Sequence, residues 1–373
     1  MLDRKITLDF VINPLLKGKQ RLSPAVRSAL RMGAYQLFFL DRVPDFAAVS
    51  ETVELVKHSR DARAAGLVNA ILRRLQREGM PPLPAGDDAA AIAVRGSCET
   101  WLVERLIADY GPAATEELLT ASFARSAVYL RVNTGKIRPA ALIDRLASEG
   151  IAAEPVDGLP AALKLKQGGI EGSAAYAEGL FHVQDLASQR CCAAVGAKPG
   201  MNVLDLCAAP GGKTFTLAEE MENTGRLIAR DLHPARVALI GEGARRLGLT
   251  CVTAAVGDAT KPAALGRFDC VLCDVPCSGI GDLRRKPEIK YKPPFDPGEL
   301  RAIQSAILST AATYVAPGGR LIYSTCTLLK AENEAVTSAF LAEHPDFAPV
   351  GAPVLQWPGE TGDGFYYAVM ERK

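Results

Sequence analysis

Two cysteines of this 373-residue chain follow strand-like segments in surroundings that could do chemistry. Cys277 lies in CDVPCSG directly after a proline, and Cys326 ends the segment RLIYSTC. A single cysteine of this kind can be core filler, because free cysteine is among the most buried residue types. Two cysteines at neighbouring strand ends, with Asp274 beside the first, favour a nucleophilic site instead. A cysteine thiolate is strongly nucleophilic when a neighbouring group lowers the pKa of the thiol.

A metal site is the competing interpretation of the nine cysteines, because Cys270 and Cys273 form a CxxC pair. These two lie in FDCVLCDV, which is typical of a strand, where residues three apart point to opposite faces. The chain has four scattered histidines and no second CxxC, so we expect no metal site. No apolar run reaches membrane-span length and MLDRKITLDF is no signal peptide, so we expect a cytoplasmic protein with reduced thiols.

A glycine-containing loop, DLCAAPGGKT, follows another strand-like segment. Gly211 and Gly212 would let the backbone approach a ligand, and the following helix offers free N–H groups. The phosphate-binding GxxxxGK[ST] loop needs a glycine where Cys207 stands, and GxGxxG is absent. Asp231 and Asp258 end the next two strands, where carboxylates suit a ribose and an adenine. The loop therefore favours S-adenosylmethionine, while an NAD-type site or a sheet without a ligand stays open.

The elements that carry these residues alternate from residue 201 onward. The predicted strands are NVLDLC, GRLIARDL, CVTAAVGD, FDCVLCDV and RLIYSTC, with helical segments between them. This alternation predicts a doubly wound parallel sheet, whose ligands bind beyond the carboxyl ends of the strands. GFYYAVMER is predicted to add a final antiparallel strand at an edge.

The preceding half is predicted to be helical and then mixed. Residues 24–77 carry helical apolar spacing, including AAVSETVELVKHS with Ser50 as its N-cap, and GMPPLPAGDD is a linker. Two helices follow, and VYLRVN, RPAALIDRLASEG and ALKLKQ predict a small α/β unit. Residues 1–77 hold 14 Lys/Arg against 7 Asp/Glu, whereas the remainder is net acidic. This basic segment permits phosphate binding, although a solvated helical surface explains it equally well.

The motifs together resemble a known family. DLCAAPGGKT, CDVPCSGIG and STCTLLKAENE resemble the RNA cytosine-5 methyltransferases. LRMGAYQLFFLDRVP, AAVSETVEL and GLVNAILRRL resemble the NusB-type RNA-binding domain of the Sun/Fmu/RsmB-type branch, which acts on 16S ribosomal RNA. The implied α/β fold is a Rossmann-like class I SAM-dependent methyltransferase domain, preceded by an all-α NusB-like domain and a small α/β RNA-binding unit. The implied boundaries are a NusB-like domain at 1–80, a linker with helices at 81–123, the small unit at 124–185 and the methyltransferase domain at 186–373.

The resemblance also assigns roles, and the chemistry explains them. C5 of cytosine is a poor nucleophile until a thiolate adds to C6, after which C5 can take a methyl group. Cys326 is implied as the attacking nucleophile, Cys277 as the residue that helps product release, and Asp274 as the one that orients the base. Lys213 is implied to face the reacting centre. The implied contacts to S-adenosyl-L-methionine are Cys207, Ala208, Ala209, Pro210, Gly211, Gly212, Lys213, Asp231, Asp258 and Asp274.

The implied substrate is 16S rRNA or a small ribosomal subunit precursor, at cytosine 967. The same chemistry on another rRNA site or on tRNA, and a non-catalytic RNA-binding protein on this fold, are the alternatives. We expect no membrane association and no obligate protein partner. Relatives carry further helices before LDRKITLDF, so we expect either a misassigned start or an incomplete NusB-like bundle.

A basic segment, DLRRKPEIKYK, follows Cys277. Most such runs are charged surface loops. Its position after a catalytic strand and the resemblance favour RNA contact, chiefly to phosphates, with the tyrosine stacking on a base. The residues predicted to contact RNA are Arg284, Arg285, Lys286, Lys290 and Tyr291.

Overall fold

The chain passes three times between two units. The computed structural model describes residues 1–16, 22–359 and 362–373. The first unit comprises residues 1–124 and 286–294, and the second comprises residues 125–285 and 295–373. In the described residues no helix is both long enough and apolar enough to cross a membrane.

The first unit is helical. The helices found in the described part of residues 1–124 are α1 (Lys5–Ile12), α2 (Pro24–Phe39), α3 (Asp45–Lys57), α4 (Ala65–Glu78), α5 (Ala89–Gly96), α6 (Thr100–Tyr110) and α7 (Pro112–Ala121). Leu8, Leu30 and Leu72 lie in the core that α1 to α4 enclose. Gly33 allows α2 to approach α4 closely, because a Cβ there would lie 2.6 Å from Cδ1 of Leu72. GMPPLPAGDD, predicted to be a linker, lies between the end of α4 at Glu78 and the start of α5 at Ala89, and both helices belong to this unit.

The predicted start of α3 is wrong. The helix begins at Asp45, with Pro44 at the N-cap, and Ser50 lies inside it, where its hydroxyl donates to the Ala47 carbonyl. Proline has a fixed φ that suits the entry of a helix, and an aspartate in the first turn is favourable beside the helix dipole. These two features outweigh the serine as a start signal.

The second unit begins with a small antiparallel sheet. Its elements are β1 (Tyr129–Val132), α8 (Pro139–Ser148), β2 (Ala152–Val156), β3 (Leu159–Gln167), α9 (Ala174–Ala177) and β4 (Phe181–Val183). The strand order is β2-β3-β1-β4. The α/β prediction is confirmed for β1, α8 and β3. The strands β2 and β4 were missed, because one contains a proline and the other has only three residues.

A larger sheet follows, with helices between its strands. Its elements are α10 (Leu186–Val195), β5 (Asn202–Asp205), α11 (Gly212–Glu220), β6 (Arg226–Asp231), α12 (Pro234–Leu247), β7 (Val252–Val256), β8 (Phe268–Asp274), α13 (Pro297–Ala312), β9 (Val315–Thr325), α14 (Glu334–Glu343), β10 (Phe347–Pro349), β11 (Val354–Gln356) and β12 (Phe365–Arg372). The order is β10-β12-β9-β8-β5-β6-β7, and β11 also pairs with β12. Strands β5 to β9 pair in parallel.

The path of the chain creates a switch point. From β5 the chain runs outward through β6 and β7 and then returns to β8 on the other side of β5. In such a sheet the crevice at the carboxyl ends beside the first strand is where ligands bind. The doubly wound prediction is therefore confirmed. Strand β12 is antiparallel to β9 as predicted, but it is no edge strand, because β10 and β11 pair with it.

Both faces of the sheet are covered. Cys270 packs in the apolar cluster on one face and Cys273 in the cluster on the other face. The prediction that the CxxC residues point to opposite sides of a strand is thus confirmed, and each thiol serves as a small buried apolar group.

Candidate active site

The two candidate cysteines lie side by side where β8 and β9 end. The strands are in register at Asp274 and Ser324, and each cysteine follows within three residues. The Sγ atoms of Cys277 and Cys326 are 3.0 Å apart. This separation is within reach for a proton shared between the two sulfur atoms. The predicted meeting of the two cysteines at one sheet edge is therefore confirmed.

The environment makes Cys277 hard to ionise. Its hydrogen bond to Cys326 raises the pKa of the Cys277 thiol well above its ordinary value, and burial and the charge of Cys326 add to this effect. Burial disfavours the charged form of a thiol, and a nearby negative charge also raises the pKa of the thiol. The environment of Cys277 therefore favours the neutral thiol.

Asp274 and Lys213 form an ion pair beside the cysteines. Lys213 Nζ donates to Asp274 Oδ2 at 2.7 Å, and Ser324 Oγ donates to Oδ1 at 2.9 Å. Burial alone would lower the pKa of Lys213, but the charge and hydrogen bond of Asp274, together with the nearby Cys191 and Cys192, outweigh it and hold the pKa above its ordinary value. The ammonium also lies 4.9 Å from the centre of the Phe365 ring. Both carboxylate oxygens are thus oriented by fixed donors.

The glycine-containing loop lines an open cleft of about 210 Å³ at the end of β5. Its lining residues are Val183, Gln184, Asp185, Ser188, Asp205, Cys207, Ala208, Ala209, Pro210, Gly212, Lys213 and Asp274. Gly211 lies just behind the lining and has φ +113°, a conformation that favours glycine. A Cβ there would also lie 2.3 Å from the Phe215 ring. The structure thus brings most of the predicted cofactor loop together with Asp274.

Asp205 is a buried carboxylate in this cleft that the sequence interpretation did not single out. Thr214 Oγ1 donates to its Oδ2 at 2.7 Å, while Oδ1 has no hydrogen-bond partner among the described residues. Burial raises the pKa of Asp205 to about 7. Its position as the last residue of β5, directly before the loop, was the available signal, because ligands bind at that strand end.

Asp231 ends β6 as predicted, whereas β7 ends at Val256 and Asp258 follows it in the loop. Neither aspartate lines the cleft. Asp231 accepts hydrogen bonds from the backbone N–H groups of Ala209 and His233, and so ties the loop to β6. Hydrogen bonds from the side chain and backbone of Thr260 lower the pKa of Asp258 to about 2. Asp258 is therefore a stable anion beyond the end of the sheet.

Two arginines predicted to contact RNA have protein partners in the second unit. Arg284 donates to Asp363 Oδ1 from Nε at 3.1 Å and from Nη2 at 2.9 Å. Arg285 pairs with the other oxygen of Asp363 and, at 3.3 Å, with Asp185. These pairs fix the segment that follows the Cys277 turn, so both guanidinium groups already have anionic partners.

Lys290 and Tyr291 belong to the first unit, in a 3₁₀ helix over Pro287–Tyr291. Lys290 is fully buried, and its Nζ donates to the Gly96 carbonyl oxygen at 3.1 Å. Tyr291 Oη accepts from the Lys5 backbone N–H at 3.1 Å and bonds to Ser97 at 2.9 Å. This placement differs from the prediction of RNA contact, because these polar atoms satisfy buried groups of their own unit. Lys286 is exposed.

Within residues 1–16, 22–359 and 362–373, no group of three or more His, Cys, Asp or Glu side chains is arranged to hold a metal ion.

Comparison with family models covers most of the chain. The family described as 16S rRNA methyltransferase RsmB/F matches residues 193–371. The NusB family matches residues 1–77, and a ferredoxin-like domain of RsmF/B-like methyltransferases matches residues 98–170. The NusB match covers α1 to α4, the ferredoxin-like match runs from α6 to β3, and the methyltransferase match covers the large sheet.

Individual relatives extend over nearly the whole chain. A probable ribosomal RNA small subunit methyltransferase B of Bacillus subtilis is 41% identical, covering 93% of this chain and 79% of the relative. The ribosomal RNA small subunit methyltransferase B of Salmonella arizonae is 35% identical, covering 98% and 87% respectively. The crystal structure of the protein PH0851 superposes with a TM-score of 0.84 at 29% identity, over 100% of this chain and 88% of that chain.

Proposed function

Since the chain belongs to the 16S rRNA methyltransferase RsmB/F family, we propose that it transfers a methyl group from S-adenosyl-L-methionine to C5 of a cytosine in 16S ribosomal RNA. The reaction proceeds through a covalent bond between Cys326 and C6 of the base. Cytosine 967 is the proposed target, and 16S rRNA or a precursor of the small subunit is the proposed partner.

One observation carries the proposal: two sulfur atoms lie 3.0 Å apart beside an oriented carboxylate. Thiol addition to cytosine needs a nucleophile, a group that holds the base and a second group for the return step. Cys326, Asp274 and Cys277 are suited to these three functions in that order. Asp274 ends β8, Cys277 follows it by three residues, and Cys326 directly follows β9. The base must enter single-stranded or flipped, because C6 is inaccessible in a stack.

The charge of the cleft fits the proposed cofactor. Among the described residues that line it are the carboxylates of Asp185, Asp205 and Asp274 and one cation, Lys213. Carboxylates attract a positively charged ligand and repel a pyrophosphate, so the cleft suits a sulfonium with an α-ammonium better than a dinucleotide. When bound, S-adenosylmethionine supplies an electrophilic methyl group. Asp205, with one unpartnered oxygen among the described residues, is the residue that we assign to the cationic amino-acid end.

Different residues orient the base and form the bond to it. Asp274 holds the cytosine edge, with its own position fixed by Lys213 and Ser324. The sulfur of Cys326 forms a bond to C6, and C5 gains the methyl group while it keeps its proton. That proton then leaves C5, the C5–C6 double bond re-forms, and the bond between C6 and Cys326 breaks.

Cys277 is suited to the second half of this sequence. Its hydrogen bond to Cys326 and the charge of Cys326 raise the pKa of Cys277. Both influences weaken once Cys326 is bonded to C6, whereas the effect of burial remains, so the pKa of Cys277 falls at the stage when a base is needed. The two sulfur atoms thus take different parts in one turnover.

The test is transfer of labelled methyl groups to ribosomal RNA from cells that lack the gene, with bisulfite mapping of the product. We expect one labelled cytosine, at position 967, with naked 16S RNA or the small subunit as acceptor. Label in tRNA or at another ribosomal site would change the substrate while keeping the enzyme class. No label in any RNA, together with no calorimetric signal for S-adenosylmethionine, would contradict the proposal.

A further inference from the structure

The turn that carries Cys277 is held by a buried carboxylate. Glu332 is fully buried, and its Oε2 accepts from the backbone N–H of Ser278 and from Gln304 Nε2, both at 2.9 Å. Gln304 Nε2 also donates to the Pro276 carbonyl oxygen at 3.0 Å. The residues on both sides of Cys277 are therefore fixed by one glutamate and the amide that it orients.

The turn that carries Cys326 is held by Asn333, the residue that follows Glu332 in the sequence. Asn333 is fully buried, and its Oδ1 accepts from Thr325 Oγ1 at 2.6 Å. Its Nδ2 donates to the Thr327 carbonyl oxygen at 3.0 Å. The residues on both sides of Cys326 are thus bonded to one asparagine side chain.

Asn333 makes these bonds instead of those expected from its position. It is the N-cap residue of α14, where an asparagine side chain normally accepts a hydrogen bond from the first turn and stabilises the helix. In the described residues its side chain makes no such capping bond. The start of α14 therefore lacks a side-chain cap. This indicates that the hydrogen bonds to the Cys326 turn are more favourable for the Asn333 side chain than the capping bond.

Because Glu332 and Asn333 are consecutive, the two turns share one rigid support. A hydrogen bond of 2.7 Å between Ser278 Oγ and Thr327 Oγ1 joins them a second time. We propose that Glu332 and Asn333 are positioning residues that set the separation of the two sulfur atoms, Glu332 through the Cys277 turn and Asn333 through the Cys326 turn.

The consequence for the reaction rests on the proposed function. Asn333→Ala is expected to slow formation of the covalent RNA adduct, because the attacking sulfur loses its fixed place. Glu332→Ala is expected to form the adduct and release it slowly, as a displaced Cys277 would. A misplacement of about 1 Å can cost about 100-fold in rate, so each effect should be between tenfold and 100-fold. General loss of stability would affect both steps alike and would not produce this split.

A second measurement needs neither RNA nor cofactor. Diamide takes two electrons and two protons from a pair of nearby thiols and leaves a disulfide, and peptide mapping identifies a Cys277–Cys326 bridge. We expect this bridge to form at least tenfold more slowly in Glu332→Ala and in Asn333→Ala than in the wild type. Thr310→Val is the matched control, because Thr310 is buried in α13 and its hydroxyl donates to the Thr260 carbonyl oxygen rather than to either turn or to Glu332 or Asn333.

Conservative variants protect the test against simple misfolding. Glu332→Gln keeps an acceptor for both donors and should restore trapping and turnover, whereas Asn333→Asp keeps only the contact with Thr325 and should be intermediate. Equal trapping rates in the wild type and both alanine variants would overturn the proposal. Slowed trapping with the same kinetic defect in both alanine variants would overturn the assignment of one residue to each cysteine. Slowed trapping with no methyl transfer to any RNA by the wild type would leave the positioning role standing and refute the proposed function.

Discussion

Replacement of Asp205 by asparagine should stabilise the second unit in a manner that depends on pH. Burial raises the pKa of Asp205 from 3.8 to about 7 in the folded state. The folded state therefore binds the proton more tightly than the unfolded chain. Stability from this group is complete below pH 3.8 and is lost as the pH rises to about 7. The loss is about 4 kcal/mol, at about 1.4 kcal/mol per pH unit.

Asparagine imitates the protonated carboxyl group and does not titrate. Its oxygen can accept from Thr214 as Oδ2 does, and its amide takes the place of Oδ1. An unpartnered amide costs about 1–3 kcal/mol at every pH, so the absolute difference between variant and wild type is not diagnostic. The change of that difference with pH is diagnostic. Between pH 5.5 and 8.5 it should grow by about 2 kcal/mol in favour of the variant.

Tryptophan fluorescence during urea unfolding can measure this change. The chain has two tryptophans, and Trp357 lies in the second unit. In a Trp101→Phe background, Trp357 alone reports on that unit. Saturating S-adenosylmethionine should stabilise the wild type more than Asp205→Asn, because only the wild type offers a carboxylate to the cation. The same free-energy difference at pH 5.5 and 8.5 would refute the view that Asp205 is a destabilised, buried acid.

Four other substitutions test the site. Cys326→Ala should abolish both methylation and the covalent adduct, whereas Cys277→Ala should accumulate an adduct that denaturing gels resolve; the reverse pattern would exchange their roles. Lys213→Met should lower the free energy of unfolding by about 1–3 kcal/mol, because it leaves Asp274 without its cation, and an unchanged urea midpoint would contradict this. Gly281→Ala should lower the free energy of unfolding by about 1–3 kcal/mol, since the added Cβ would lie 2.0 Å from the backbone oxygen of Gly364 and 2.8 Å from that of Cys326. Thermal melting and methyl-transfer rates would both detect it, and a wild-type melting temperature would count against the contact.

The sequence predicts the scaffold of the site well, because the relevant signals are local. Alternation along β8 was enough to place Cys270 and Cys273 on opposite faces. The ends of β8 and β9 were enough to bring Cys277 and Cys326 to one edge, since parallel strands that neighbour each other end together. The spacing of residues in the sequence thus predicts which side chains meet at the ends of neighbouring parallel strands.

Long-range partners are not readable in the same way. The charge of Arg284 suggests a phosphate, but its partner Asp363 lies 79 residues away and gives no sign in the local pattern. Lys290 stands in a basic run, yet its ammonium bonds to the Gly96 carbonyl in the interior of the first unit. Glu332 and Asn333 were likewise missed, because a polar side chain before a helix predicts a cap or a surface rather than a support for two distant turns.

The three passages of the chain between its units affect how the protein can be divided. Residues 286–294 belong to the helical unit, although the chain on either side of them belongs to the catalytic unit. A shortened protein that begins at residue 125 would keep Lys290 and Tyr291 but lose Gly96, Ser97 and Lys5, to which they bond. The helical unit therefore cannot be removed as one continuous segment of the gene. Exchange of this unit between relatives would have to replace two separate stretches of the gene together.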